Sequence, residues 1–354
     1  NINRILAVAT FLISFVVYFD TMAPSVSYWD CGEFIAVSYT LGVPHPPGSP
    51  LFLLLGRIAS MMPISEDIAF RVNLLSPLVS AFAVLFLYFI IVQLVSHWRG
   101  KINSNTDALI AFGAGIVGSL TFAFTDSHWF NAVEAEVYAF STFFTAIVVW
   151  LALLWSEKAD EQGNERYILI ISYMIGLATG LHLLNLLTIP FVALLIYFRK
   201  FKFQWTSFGI LVALTGLVFF IIHNVIIKGM PKIADAIGVS LTGLLILVIF
   251  TGMVWAVLNH KQLISIVLTS MVLILIGYST YALIFIRSNQ DPGIDENDPE
   301  TVEAFISYLE REQYGDVGMF PRRFKGIKPM HEVVGYPEGP GRQFSASQES
   351  DYRS

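Results

Sequence analysis

Residues 167–198 read YILIISYMIGLATGLHLLNLLTIPFVALLIYF, a run without a single aspartate, glutamate, lysine or arginine. As one helix the run would measure about 48 Å, too long for a single passage through ~30 Å of hydrocarbon. It reads as two short membrane spans meeting near Gly180, His182 and Asn185. Working outward, further apolar blocks cover about Ile5–Phe19, Leu74–Val95, Ala108–Thr125 and Val137–Trp155 on one side of it, and Thr206–Ile227, Ala236–Leu258 and Leu263–Ile286 on the other. The expectation is an all-α polytopic membrane protein with about nine transmembrane helices.

Composition agrees. The chain has 354 residues, 55% hydrophobic and only 14% charged, with a mean hydropathy of +0.65. Soluble domains carry about 25% charged residues, so soluble enzyme folds are excluded. The net charge of −6 and the lack of a basic run exclude nucleic acid as a partner. Cys31 is the sole cysteine, which excludes an internal disulfide and a thiolate metal cage. The first apolar block carries no cleavable-signal pattern and is expected to be a retained span.

Basic residues set the expected orientation. With a cytoplasmic N-terminus, Arg4, Arg99, Lys101, Lys158, Arg166, Arg199, Lys200, Lys202 and Lys261 fall inside, and only Arg57, Arg71, Lys228 and Lys232 fall in outer loops. An odd number of spans then puts the long first loop, about residues 20–71, on the same outer side as the C-terminal tail. Two regions follow: a transmembrane module over 1–288, and an outer tail over 289–354 that reads as part of a larger region. Pro299–Glu312 carries helical patterning within that tail.

Polar residues gather in four places, all on the expected outer side. In the first loop, Asp30 and Glu33 are three apart and share a face of a helical turn, which Tyr28, Trp29 and Phe34 would seat at the membrane interface. His45 sits nearby among prolines and glycines. The spacing leaves two readings open: a carboxylate held as a general base, or a helix cap with a solvated neighbour. In the second loop, Glu134 and Glu136 precede a span with no basic residue near them, and so need a partner or a wet cavity unless the helix dipole holds them. His182 with Asn185 marks the hairpin inside the long apolar run, where a structural donor competes with a binding role. Arg287 closes the last span ahead of an acidic stretch, and either binds a phosphate or forms a salt bridge. There is no His-x-x-x-His pair and no glycine-rich phosphate loop.

The wording of these places is specific. YWDCGEFIA (28–36), LGVPHPPGSPLF (41–52), NAVEAEVY (131–138), GLHLLN (180–185), and Arg287 with DENDPE (295–300) resemble the GT-C membrane glycosyltransferases. Within them they look like the uncharacterised-domain family abundant in Bacteroidetes, related to the animal transmembrane O-mannosyltransferase acting on plexin-type receptor domains. The resemblance covers about residues 1–316. It implies a GT-C-like bundle in a bacterial inner membrane, with the tail periplasmic. It also implies transfer of mannose or a similar hexose from a polyprenyl-phosphate donor to a hydroxyl of an exported protein, by one inverting displacement. Asp30 and Glu33 become the implied catalytic pair. His45, Asn131, Glu134, Glu136, His182, Asn185 and Arg287 become donor- or acceptor-binding residues. No metal or cofactor is expected, although two acidic clusters on one face leave room for a divalent ion. A lipid-linked-substrate transporter or flippase, or a structural subunit of an envelope complex, is the competing reading. A transporter would place ionisable residues at mid-membrane in repeated halves, and neither is seen.

Overall fold

The computed structural model describes residues 1–315. The tail expected over 289–354 therefore lies largely outside the described residues. Residues up to Gln313 form one compact unit.

The described residues fold into helices joined by short turns, in an all-α polytopic membrane protein. α1 (Ile2–Thr21) runs apolar until Asp20. The first loop then folds into α2 (Cys31–Thr40), α3 (Pro50–Ser60) and α4 (Ile68–Asn73). Pro50 opens α3 at a position where a missing N–H costs nothing. The Asp67 carboxylate caps α4 by accepting from Ala69 and Phe70 N–H. α5 (Leu75–Arg99), α6 (Asn105–Ala123), the short α7 (Asp126–Ala132) and α8 (Val137–Lys158) follow.

The long uncharged run divides as its length requires. α9 (Glu165–Thr179) stops at Gly180, His182 Nδ1 accepts from Leu184 N–H to cap a single 3₁₀ turn, and α10 (Thr188–Lys200) departs. Beyond it lie α11 (Trp205–Phe220), α12 (Gly229–Ile237), α13 (Val239–Leu258), α14 (Gln262–Tyr278) and α15 (Ala282–Ser288). α16 (Val302–Glu310) completes the chain, and the Thr301 hydroxyl caps it by accepting from Ala304 N–H. The helical patterning expected there is met, with the start at Thr301.

Among the described residues, eight helical stretches are long and apolar enough to cross a membrane. α9, at 15 residues, is the span that length alone misses. Parity restores it. Val43 in the first loop bridges to Asp295, just past α15, so these two places share one face. Seven of the eight long stretches lie between them, and a return to the same face takes an even number of passes, which α9, the first half of the divided uncharged run, would complete. At about 22 Å it is shorter than the ~30 Å of hydrocarbon. α9 also packs closely on α14. A Cβ on Gly277 would lie 2.3 Å from Leu177 N and 2.4 Å from Gly176 C, so only paired glycines allow this approach of two backbones. No residue of α11 is buried, as expected of a helix facing lipid.

Candidate active site

The site begins at the N-terminal end of α2. Asp30 occupies the N-cap position, where its carbonyl accepts from Phe34 N–H while its side chain makes no capping bond and is 56% exposed. Trp29 just before it adopts left-handed backbone at φ 60°, and Tyr28 and Trp29 both project outward. Phe34 corrects the interfacial expectation: it is buried, with its ring against His45 and Phe52.

Past Leu41 the chain doubles back. Val43 N–H donates to Ile294 O at 2.8 Å, and Glu296 N–H donates to Val43 O at 3.0 Å. Tyr308 on α16 donates its hydroxyl to Pro44 O at 2.5 Å. Ser49 Oγ donates to Leu181 O at 3.0 Å. Gly48 has φ +93°, and its missing side chain makes room for the Tyr308 ring. This path brings His45 over the first turn of α2. His45 N–H donates to Glu33 Oε1 at 2.6 Å, the ring Nδ1 lies 2.8 Å from Glu33 Oε2, and Nε2 lies 3.9 Å from Asp30 Oδ2. The bond to Glu33 raises the His45 pKa against the opposing effect of burial, with the charges of Glu33, Asp30 and Glu296 helping. Burial alone would raise the Glu33 carboxyl, but the two bonds from His45 outweigh it and hold the carboxyl below its usual range. The solvated-neighbour alternative for Glu33 does not hold.

Glu134 and Glu136 approach from the segment after α7. Both are more than nine-tenths buried. Ser27 Oγ donates to Glu134 Oε2 at 2.5 Å, and burial together with the nearby Glu134 and Glu136 pushes the Cys31 thiol pKa up. Glu136 accepts from Val137 N–H at 3.2 Å, which makes it the N-cap of α8. Its carboxyl is pushed up to about 7, first by burial, with Asp30 and Glu134 adding and the Val137 bond and His45 opposing. The result is a cluster of acids at the start of α2, in which Asp30 is exposed while Glu33, Glu134 and Glu136 are partly or fully buried. Asp30, Glu33 and His45 offer donor atoms that all lie within 4.8 Å of one another, a set that could hold a metal ion.

Other expected residues stand apart from this centre. His182 caps its turn, lies against the Tyr138 ring and is held below its usual pKa by burial and by the Arg311 charge. Asn185 is buried, accepting from Thr145 and donating to Ser141 Oγ, so it ties the hairpin to α8. Asn131 is half-buried and donates to Ser127 O in its own helix. Arg287 donates to Leu41 O, Thr40 O and Gln290 Oε1. It thus holds the far end of α2, about 15 Å along that helix from Asp30. Ser27, Cys31, Glu296 and Tyr308 belong to the site but were not singled out from the sequence. Ser27 and Cys31 flank the acidic pair, which is the signal that could have drawn them in.

Residues 30–205 match the family described as the protein O-mannosyl-transferase TMEM260 N-terminal domain. The chain is 29% identical over 228 residues to the protein O-mannosyl-transferase tmem260 of Dictyostelium discoideum, covering 60% of this chain and 25% of that protein. It is 27% identical over 209 residues to the protein O-mannosyl-transferase TMEM260 of Mus musculus, covering 59% of this chain and 28% of that protein. The chain thus spans about a quarter of the length of these curated relatives. No solved structure matches. The matched region contains Asp30, Glu33, His45, Glu134 and Glu136, and ends before Arg287.

Proposed function

Because the chain is a relative of the protein O-mannosyl-transferase TMEM260 family through that shared region, we propose that it is a membrane glycosyltransferase that moves mannose or a similar hexose from a polyprenyl-phosphate donor to a hydroxyl of an exported protein. It does so at the periplasmic face of a bacterial inner membrane. The observation that carries this reading is the convergence of Asp30, Glu33, His45, Glu134 and Glu136 in one cluster at the loop-bearing face, with Asp30 the exposed member.

In this reading Asp30 takes the proton of the acceptor hydroxyl as that oxygen bonds to the anomeric carbon. The bond from the anomeric carbon to the phosphate oxygen breaks, and the phosphate leaves with the electron pair. One displacement inverts the configuration and needs no covalent intermediate. Glu33 and His45 fix the first turn of α2 behind Asp30, while Glu134 and Glu136 line the sugar side of the cluster. Arg287 serves by holding Thr40 and Leu41 in place.

A lipid-linked donor is supported by an apolar cavity of about 800 Å³ walled by α12, α13, α14, α15 and α16. The polar side chains of its walls are engaged with backbone: Tyr278 with Ile227 O, Tyr281 with Thr179 O, Thr242 with Gly238 O and Ser279 with Ile276 O. What remains for an occupant is hydrocarbon surface. α16 lines the cavity with Phe305 and, through Tyr308, holds the loop that carries His45.

The test is transfer in vitro from a polyprenyl-phosphate hexose to a folded acceptor domain, read by mass spectrometry. Asp30→Asn is expected to lower the rate by ~10²–10⁴. A variant rate within a few-fold of wild type removes Asp30 as the base, and no transfer by the wild type removes the reading itself.

A further inference from the structure

We propose that Asp30, Glu33 and His45 form a binding site for a divalent cation of the kind that accepts mixed oxygen and imidazole ligands, with Mn²⁺ as its probe. His45 Nε2 and Asp30 Oδ2 lie 3.9 Å apart, beyond hydrogen-bond range. Two ligands of one ion, each at about 2.1 Å, are separated by roughly 3–4 Å. Glu33 sits 2.8 Å from the opposite ring nitrogen, Nδ1. In that arrangement the Glu33 carboxylate accepts the hydrogen bond from Nδ1–H, which leaves the Nε2 lone pair free on the side of Asp30, as the outer-shell carboxylate of a metal-bound histidine does. Glu33 thus acts from the outer shell, and water completes the coordination of an ion held by Asp30 and His45.

An independent feature also calls for positive charge. Glu136 is more than nine-tenths buried, and its one hydrogen bond comes from the N–H of the next residue. Among the described residues no lysine or arginine forms an ion pair with it, and its charge is felt by Asp30 and His45. Four carboxylates (Asp30, Glu33, Glu136 and Glu296) act on one imidazole, and Glu134 lies beside Glu136. Arg287 does not reach them. A divalent ion balances this field, and the half-exposed Asp30 gives it a path from water. If the transferase reading holds, the ion also meets the leaving phosphate, a role Arg287 cannot fill from the far end of α2. Binding itself does not depend on that reading.

The experiment uses the full chain in detergent, stripped with EDTA and titrated with MnCl₂, with free Mn²⁺ read from its six-line electron paramagnetic resonance signal. One ion per chain is expected, with ¹⁴N modulation from an imidazole in the pulsed spectrum. Asp30→Asn and His45→Ala should each weaken binding at least ~10-fold, and Glu33→Gln by ~10–100-fold. His45→Ala should also lose the ¹⁴N signature. Glu303→Gln, on the exposed side of α16, should bind as wild type does. The site is overturned if wild type fails to bind one ion, if the bound ion shows no ¹⁴N coupling, or if Glu303→Gln weakens binding as much as the variants at Asp30, Glu33 and His45. Because no donor or acceptor is present, loss of this site and loss of transfer are read separately.

Discussion

Glu136 shows what burial does to one acid. Its carboxyl titrates near pH 7 instead of near 4.5, so the folded chain holds that proton more tightly than the unfolded chain does. Its contribution to stability is full below about 4.5 and is lost as pH rises through about 7. Unfolding midpoints measured against pH in EDTA should therefore show wild type losing up to ~3 kcal/mol relative to Glu136→Gln over that interval, after which the two curves run parallel. A constant difference across the interval would show that Glu136 is ionised throughout. The three-residue spacing of Asp30 and Glu33 places both on one helical face from sequence alone. The partnership of Glu33 with His45 could not be read the same way. Those residues are separated by a proline-rich loop, and its return path depends on Val43 meeting Asp295 hundreds of positions later. Phe34 was misplaced for a related reason: an aromatic beside a membrane loop suits an interface equally well until His45 and Phe52 close over it.

At the scale of elements, Arg287 clasps the end of α2 to α15 through three acceptors in different directions. Arg287→Ala should lower stability by about 1–3 kcal/mol, read as a fall in thermal midpoint. Arg287→Lys should recover little, since a single ammonium cannot serve three acceptors held by a planar fork. Full recovery by lysine would mean that charge alone matters there. The contact between α9 and α14 makes a second demand. Even Gly277→Ala puts a carbon 2.3 Å from a backbone nitrogen, so a loss of about 1–3 kcal/mol or more and a smaller monodisperse fraction on gel filtration are expected. The division of the long apolar run into α9 and α10 was legible because helix length per residue is fixed. The shortness of α9 was not, because apolar residues continue unbroken through the Leu183–Leu187 turn.

For the whole molecule, the nine-pass count makes a topological prediction. Cysteines introduced at Glu66 and Glu300 should react with a membrane-impermeant maleimide from one side of sealed vesicles, and a cysteine at Gln162 from the other. Opposite sides for 66 and 300 would reduce the passes to eight. The expected inner loops carry most of the basic residues outside the tail, and two of them share one acid. Arg199 and Lys200 meet Asp160 at the end away from the acidic cluster. The acidic cluster itself was legible only as four separate groups, since which of them touch depends on how the bundle closes. The native thiol makes the labelling practicable. Cys31 is fully buried, and burial together with Glu134, Glu136 and Asp30 pushes its pKa up, so little reactive thiolate forms near neutral pH. To an alkylating reagent the protein is in effect cysteine-free as nature supplies it. Probes placed in pairs across the acidic cluster can then report distances during a reaction cycle, without first disturbing a residue that neighbours Asp30.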